Sequence, residues 1–141
     1  MGYTSWLEPE ASPERIGESP AGGTIMGSPI VHFEIIGSDA AQLKQFYTDL
    51  FGWKIGDLAP DMGNYGLIDG ESSGLPGGIG QSDDGKPRST VYAQVPDLQA
   101  TLDHAVALGG KIVMEPTEIP GVVALAMFSD PQGNIVGLTR G

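Results

Sequence analysis

The sequence predicts an α+β fold made of two tandem βαβββ modules. Two observations carry this. The order strand, helix, three strands can be read twice along the chain, each element with its own hydrophobic period. The two readings are also in register, because Asp39 and Asp97 stand as equivalent helix N-caps 58 residues apart. A length of 141 residues suits one such pair, since a domain of this size buries about two-thirds of its unfolded surface.

In the first copy, Val31, Phe33 and Ile35 alternate with His32, Glu34 and Ile36, the period of a strand. Ser38 and Asp39 open a helix whose apolar stripe is Leu43, Phe46, Tyr47, Leu50 and Phe51. Gly52 closes it as a C-terminal glycine. Trp53–Ile55 predicts the second strand and Asn64–Ile68 the third. Gly77–Gly80 predicts a flat, glycine-rich fourth that lets a ligand or another backbone come close. A polar, turn-rich linker follows from Gln81 to Pro87.

The second copy repeats the order. Val91, Ala93 and Val95 alternate with Thr90, Tyr92 and Gln94. Asp97 caps a helix carrying Leu98, Leu102, Ala105 and Val106, which stops at Gly109-Gly110. Lys111–Met114, Val122–Phe128 and Asn134–Leu138 give its three strands, the last after the turn Asp130-Pro131-Gln132-Gly133. The modules are therefore residues 29–81 and 88–141. Residues 1–28 hold Pro9, Pro13 and Pro20 with no surviving period, and read as an extended arm with Trp6 and Leu7 as its docking side chains.

Composition narrows the function. Eighteen acidic against seven basic residues give a net charge of −11, so the basic footprint of a nucleic-acid binder is missing and anionic membranes are disfavoured. The longest apolar run, Val122 to Phe128, is far shorter than the ~20 residues of a membrane span. The opening residues carry no signal-peptide pattern, so a cytoplasmic protein is expected. Without cysteine there is no disulfide, thiolate zinc site or cysteine nucleophile. Neither histidine has a sequence context that pairs it with Ser72, Ser73 or Ser89, which argues against a hydrolase.

Four stretches carry a family resemblance: Val31-His32-Phe33-Glu34-Ile35, the helix end Phe46-Tyr47-Thr48-Asp49-Leu50-Phe51-Gly52-Trp53, Val95-Pro96-Asp97-Leu98, and Asp130-Pro131-Gln132-Gly133-Asn134. In this order and spacing the chain resembles the vicinal oxygen chelate superfamily, which holds glyoxalase I, bleomycin-resistance proteins and extradiol dioxygenases. The resemblance covers residues 29–140. It implies two curved mixed sheets around a cavity, and a homodimer.

Strand parity then names the lining, because successive side chains alternate faces. Val31, Phe33, Ile35, Val91, Ala93, Val95, Val136 and Leu138 go to the helices. His32, Glu34, Thr90, Tyr92 and Gln94 form the ligand-binding cavity. Metal-dependent members place His, Gln or Glu ligands on the first and last strands of each module. Here only His32 matches, with Thr90 and Gly137 at two of the other positions. Three protein ligands are the usual minimum for a catalytic divalent ion. No cofactor and no metal ligands are assigned, with a two-ligand ion site at His32 and Glu34 left open. His32 and Glu34 are the candidate catalytic pair, as acid/base groups. Two readings stand: a metal-independent binder of a small organic ligand of the bleomycin-resistance type, or a lyase, isomerase or dioxygenase using His32 and Glu34. His104, between Asp103 and Ala105 on the second helix, belongs in solvent.

Overall fold

The computed structural model describes residues 27–121 and 123–141. Its strands in chain order are β1 (Ile30–Gly37), β2 (Gly66–Ile68), β3 (Gly77–Gln81), β4 (Arg88–Val95), β5 (Lys111–Ile119), β6 (Val123–Ser129) and β7 (Ile135–Arg140). They form one open mixed sheet in the order β2-β3-β1-β4-β7-β6-β5. The predicted arm falls outside the described residues, apart from Gly27 and Ser28.

The two strands with the clearest alternation meet at the centre of this sheet. β1 and β4 run antiparallel, with His32 opposite Tyr92, Phe33 opposite Val91 and Glu34 opposite Thr90. Val91 is the residue 58 positions after Phe33, so this pair is a residue facing its own repeat mate. The internal two-fold axis therefore passes through the Phe33–Val91 pair, and the modules join within one chain. β3 lies parallel to β1 on one side and β7 parallel to β4 on the other. β2 and β6 continue outward antiparallel to them, and β5 closes the far edge.

Three α-helices are described, α1 (Ala40–Phe51), α2 (Gly70–Ser73) and α3 (Leu98–Ala107), with one 3-10 turn at Pro60–Met62. The caps are the predicted ones. The Asp39 carboxylate accepts from the Gln42 N–H and that of Asp97 from the Ala100 N–H, both at 3.0 Å. Gly52 takes the left-handed conformation (φ +72°) and its N–H bonds Thr48. Both long helices cover the face chosen by parity. Under α1, Ala40, Ile68 and Ile79 pack with Phe33, Ile35, Leu43, Tyr47 and Trp53. Under α3, Val95, Leu98, Leu102, Ala124, Ala126 and Leu138 form the second core. The closing turn is also local chemistry: the Asp130 carboxylate accepts from the Asn134 side chain and from the backbone N–H of Gln132 and Asn134. Those bonds, led by the Asn134 amide, hold its carboxyl below the usual range.

Two readings need correction. The strand expected at Trp53–Ile55 is a single bridge, Ile55 to Ile68, followed by another from Ala59 to Tyr65. Its partner β2 has only three residues, too short a ladder to extend it. Trp53 is also turned onto Phe33 and Tyr47, with ring centroids 5.4 and 5.3 Å apart. The short α2, capped by Asp69 accepting from Glu71 N–H, carries no apolar period and was not expected.

Leu102 has no exposed surface and sits in the α3 core, whereas Val106, one turn on, is nearly half exposed. Leu102→Ala should cost about 3 kcal/mol in urea unfolding. Val106→Ala should stay within about 0.5 kcal/mol.

Candidate functional site

The helix-free face of the central strands carries His32 and Glu34 from β1 and Thr90 and Tyr92 from β4. Glu34 is the centre. It is 8% exposed, and each of its oxygens is occupied. Oε1 accepts the Tyr92 hydroxyl at 3.0 Å, and Oε2 accepts the Tyr65 hydroxyl at 2.9 Å. The Arg88 guanidinium stands 3.6 Å from Oε1. A buried carboxylate is costly unless hydrogen-bonded and paired, and both conditions are met here.

The rest of the network follows from counting protons. Tyr65 gives its one proton to Glu34, so its oxygen accepts from His32 Nε2, 2.9 Å away. This assigns His32 the Nε2–H tautomer. Burial lowers the His32 pKa below its ordinary 6.5, against a weaker upward pull from Glu34. Burial, the Glu34 charge and the Glu34 hydrogen bond together push both tyrosines far above their ordinary range. Both phenols therefore remain donors. The His32 ring lies nearly parallel to Tyr65 (17°, centroids 6.5 Å apart) and edge-on to Tyr92 (76°, 5.6 Å).

Glycines make the room for these rings. Gly78 faces Glu34 across β3 and β1, and a side chain there would strike the Tyr65 hydroxyl and ring. Gly137 faces Tyr92 across β7 and β4, and a side chain there would strike the Tyr92 ring. The close approach expected at Gly77–Gly80 is thus made by a tyrosine of the same chain.

Of the predicted lining, His32, Glu34, Thr90 and Tyr92 come together. Thr90 is 4% exposed, and its Oγ1 has no partner among the described residues. Gln94 is exposed, lies beside Gly141 and stands outside the network. His104 is in solvent as expected. Two members stand outside that lining. Tyr65, in a glycine-rich strand pair, reads equally toward the core or the cavity mouth, because it precedes a short strand that reaches β1 only through β3, an order the sequence does not reveal. Arg88 could have been found, since it shares the parity of Thr90 and Tyr92 at the start of β4. Two surface grooves, about 480 and 500 Å³, lie elsewhere, one lined by Glu118, Ile119 and Arg140 and the other by Lys54, Ile55 and Leu67.

The family model of the glyoxalase/bleomycin resistance protein/dioxygenase superfamily matches residues 29–138. The chain belongs to this superfamily. Among curated relatives, the anthracycline biosynthesis protein DnrV of Streptomyces peucetius is 28% identical over 124 residues, covering 77% of this chain and 45% of DnrV. A glyoxylase-like domain-containing protein of Didymella fabae is 29% identical over 120 residues, covering 78% of this chain and 91% of its own. The putative glyoxylase CFP32 of Mycobacterium tuberculosis is 44% identical over 50 residues, 36% of this chain and 19% of CFP32. The chain thus spans about half the length of DnrV, and its match to CFP32 is shorter still. Among solved structures, methylmalonyl-CoA epimerase from Mycobacterium tuberculosis superposes with a TM-score of 0.62 at 17% identity, over 85% of this chain and 94% of the epimerase. The protein BH1468 of Bacillus halodurans gives 0.63 at 12% identity, over 82% and 95%. At these identities the likeness is one of fold.

Some superfamily members hold a divalent ion, so the donors on this face decide whether one fits. Such an ion needs about three protein ligands. Among the described residues no three His, Asp or Glu side chains gather. Each Glu34 oxygen already holds a tyrosine hydroxyl and His32 Nε2 is bonded to Tyr65, so Glu34 and the Nδ1 of His32 are at most two donors. The residues on this face do not supply the ligand set.

Tyr92→Phe strands one Glu34 oxygen and should cost about 1–3 kcal/mol, whereas Thr90→Val removes an unpaired hydroxyl and should be neutral or stabilising by about 1 kcal/mol. The lowered pKa of His32 also fixes a sign. Between its folded value and 6.5 the unfolded chain binds more protons, so stability falls as pH drops below 6.5. Urea midpoints at pH 7.5 and 5.5 should therefore differ less in His32→Gln than in the wild type.

Proposed function

We propose that this chain is a metal-independent small-molecule-binding protein of the glyoxalase and bleomycin-resistance kind, holding an organic ligand against the helix-free face of β1 and β4. The observation that carries this reading is that Glu34 is buried with a tyrosine hydroxyl on each oxygen, on a face where no three metal-ligating side chains gather among the described residues. A general base needs to reach the proton it removes, and the Glu34 carboxylate is buried behind two tyrosines. The same bonds fix Tyr65, Tyr92 and His32 in place, and rigid rings with polar tips suit planar organic ligands. A charge of −11 favours neutral or cationic molecules over anions. The relatives DnrV and DauV, both 28% identical and both described as anthracycline biosynthesis proteins, support a polycyclic aromatic ligand.

One observation favours the enzymatic alternative. The run His32–Tyr65–Glu34 is a continuous hydrogen-bonded path along which a proton could pass. A lyase, isomerase or dioxygenase using it requires the substrate to displace Tyr65 or Tyr92 from Glu34.

The test is a fluorescence titration with a cationic anthracycline. Saturable quenching that weakens as salt is raised is expected. Tyr92→Phe should weaken it. Absence of saturable quenching overturns the polycyclic reading, and conversion of the probe to a new product favours the alternative.

A further inference from the structure

The guanidinium of Arg88 is placed for more than neutralising Glu34. Charge-assisted N–H···O bonds run at about 2.7–2.9 Å. Arg88 stays 3.6 Å from Glu34 Oε1, and its side chain is 42% exposed. The carboxylate it approaches already holds two tyrosine hydroxyls. The side chains of Lys44 and Arg140 are engaged, the first with the Gly56 carbonyl at 3.0 Å and the second with Glu118 at 3.1 Å. Among the described residues Arg88 makes no hydrogen bond through its side chain, so its part-exposed fork of donors is without an acceptor at bonding distance.

Its position supplies the rest. Arg88, Thr90 and Tyr92 follow one another on the same face of β4, with the rings of Tyr92 and His32 beyond Thr90. Thr90 adds a buried hydroxyl with no partner of its own. Arg88 and Glu34 cancel locally, so a ligand anion would meet a carboxylate behind the guanidinium, whereas a neutral oxygen acceptor meets only donors. A planar fork matches two oxygens lying in one plane with a ring.

We infer that Arg88 is the specificity-determining residue of this face, selecting planar aromatic ligands that carry a carbonyl with a hydroxyl beside it. This rests on the binding reading above and names its ligand class.

Two probes of nearly equal size separate the two claims: 1-hydroxy-2-acetonaphthone, which has the paired oxygens, and 2-ethylnaphthalene, which lacks them. The wild type should prefer the hydroxyketone by about tenfold. Arg88→Met should abolish the preference while still binding 2-ethylnaphthalene. Arg88→Lys keeps the charge but not the fork, and should restore little of it. A preference unchanged in Arg88→Met, or fully restored in Arg88→Lys, overturns the inference while leaving the binding reading intact. Failure of the wild type to bind either probe overturns both. If Arg88→Met does not fold by thermal unfolding, Arg88→Gln replaces it with the same expectation.

Discussion

A carboxylate held between two tyrosines is the constraint on which the rest of this face depends. Glu34 belongs to the first module, Tyr65 reaches it from beyond β3, and Tyr92 comes from the second module. Left unpaired, the buried carboxylate would cost several kcal/mol, and the two hydroxyls with Arg88 offset that cost. The network also ties the modules together by polar contacts on one face, beside the β1–β4 ladder that joins their backbones, while each helix-covered core stays within its own module. Its geometry propagates: two phenol rings need two missing side chains, so Gly78 and Gly137 are required by Glu34.

The repeat symmetry explains why the site forms where it does. Because the internal axis passes through Phe33 and Val91, His32 of one copy faces Tyr92, the counterpart of Glu34 in the other. Each module thus contributes the complementary position, and residues of the same parity converge on the axis. The sequences have since diverged around it. Thr90 stands at the counterpart of His32, and only the first copy carries an acid. The result is one asymmetric network in a nearly symmetric frame.

Much of this was readable from residue order. The alternation of Val31–Ile36 and Thr90–Val95, with Asp39 and Asp97 as caps, fixed the central strands, both long helices and the face that His32, Glu34, Thr90 and Tyr92 occupy. These are local signals, set by side-chain periods and capping chemistry. Tyr65 was hidden because its contact with Glu34 depends on strand order, which is a non-local choice. Trp53–Ile55 misled for a related reason: the segment has strand propensity, but its partner β2 is too short and the Trp53 ring turns into the core. Thr90 and Gly137 could be read at two of the family's ligand positions, but the hydrogen bonds of Glu34 to two tyrosine hydroxyls could not.

The proposed function turns on His32 and Glu34 serving this network rather than a metal site. Calorimetric titration of the chelator-dialysed protein with nickel, zinc and manganese, repeated on His32→Ala, tests it most directly. The account predicts no stoichiometric heat from any of the three ions, in either protein. Uptake of one ion per chain that disappears in His32→Ala would contradict it, since the ion would then take its ligands from His32 and the groups beside it.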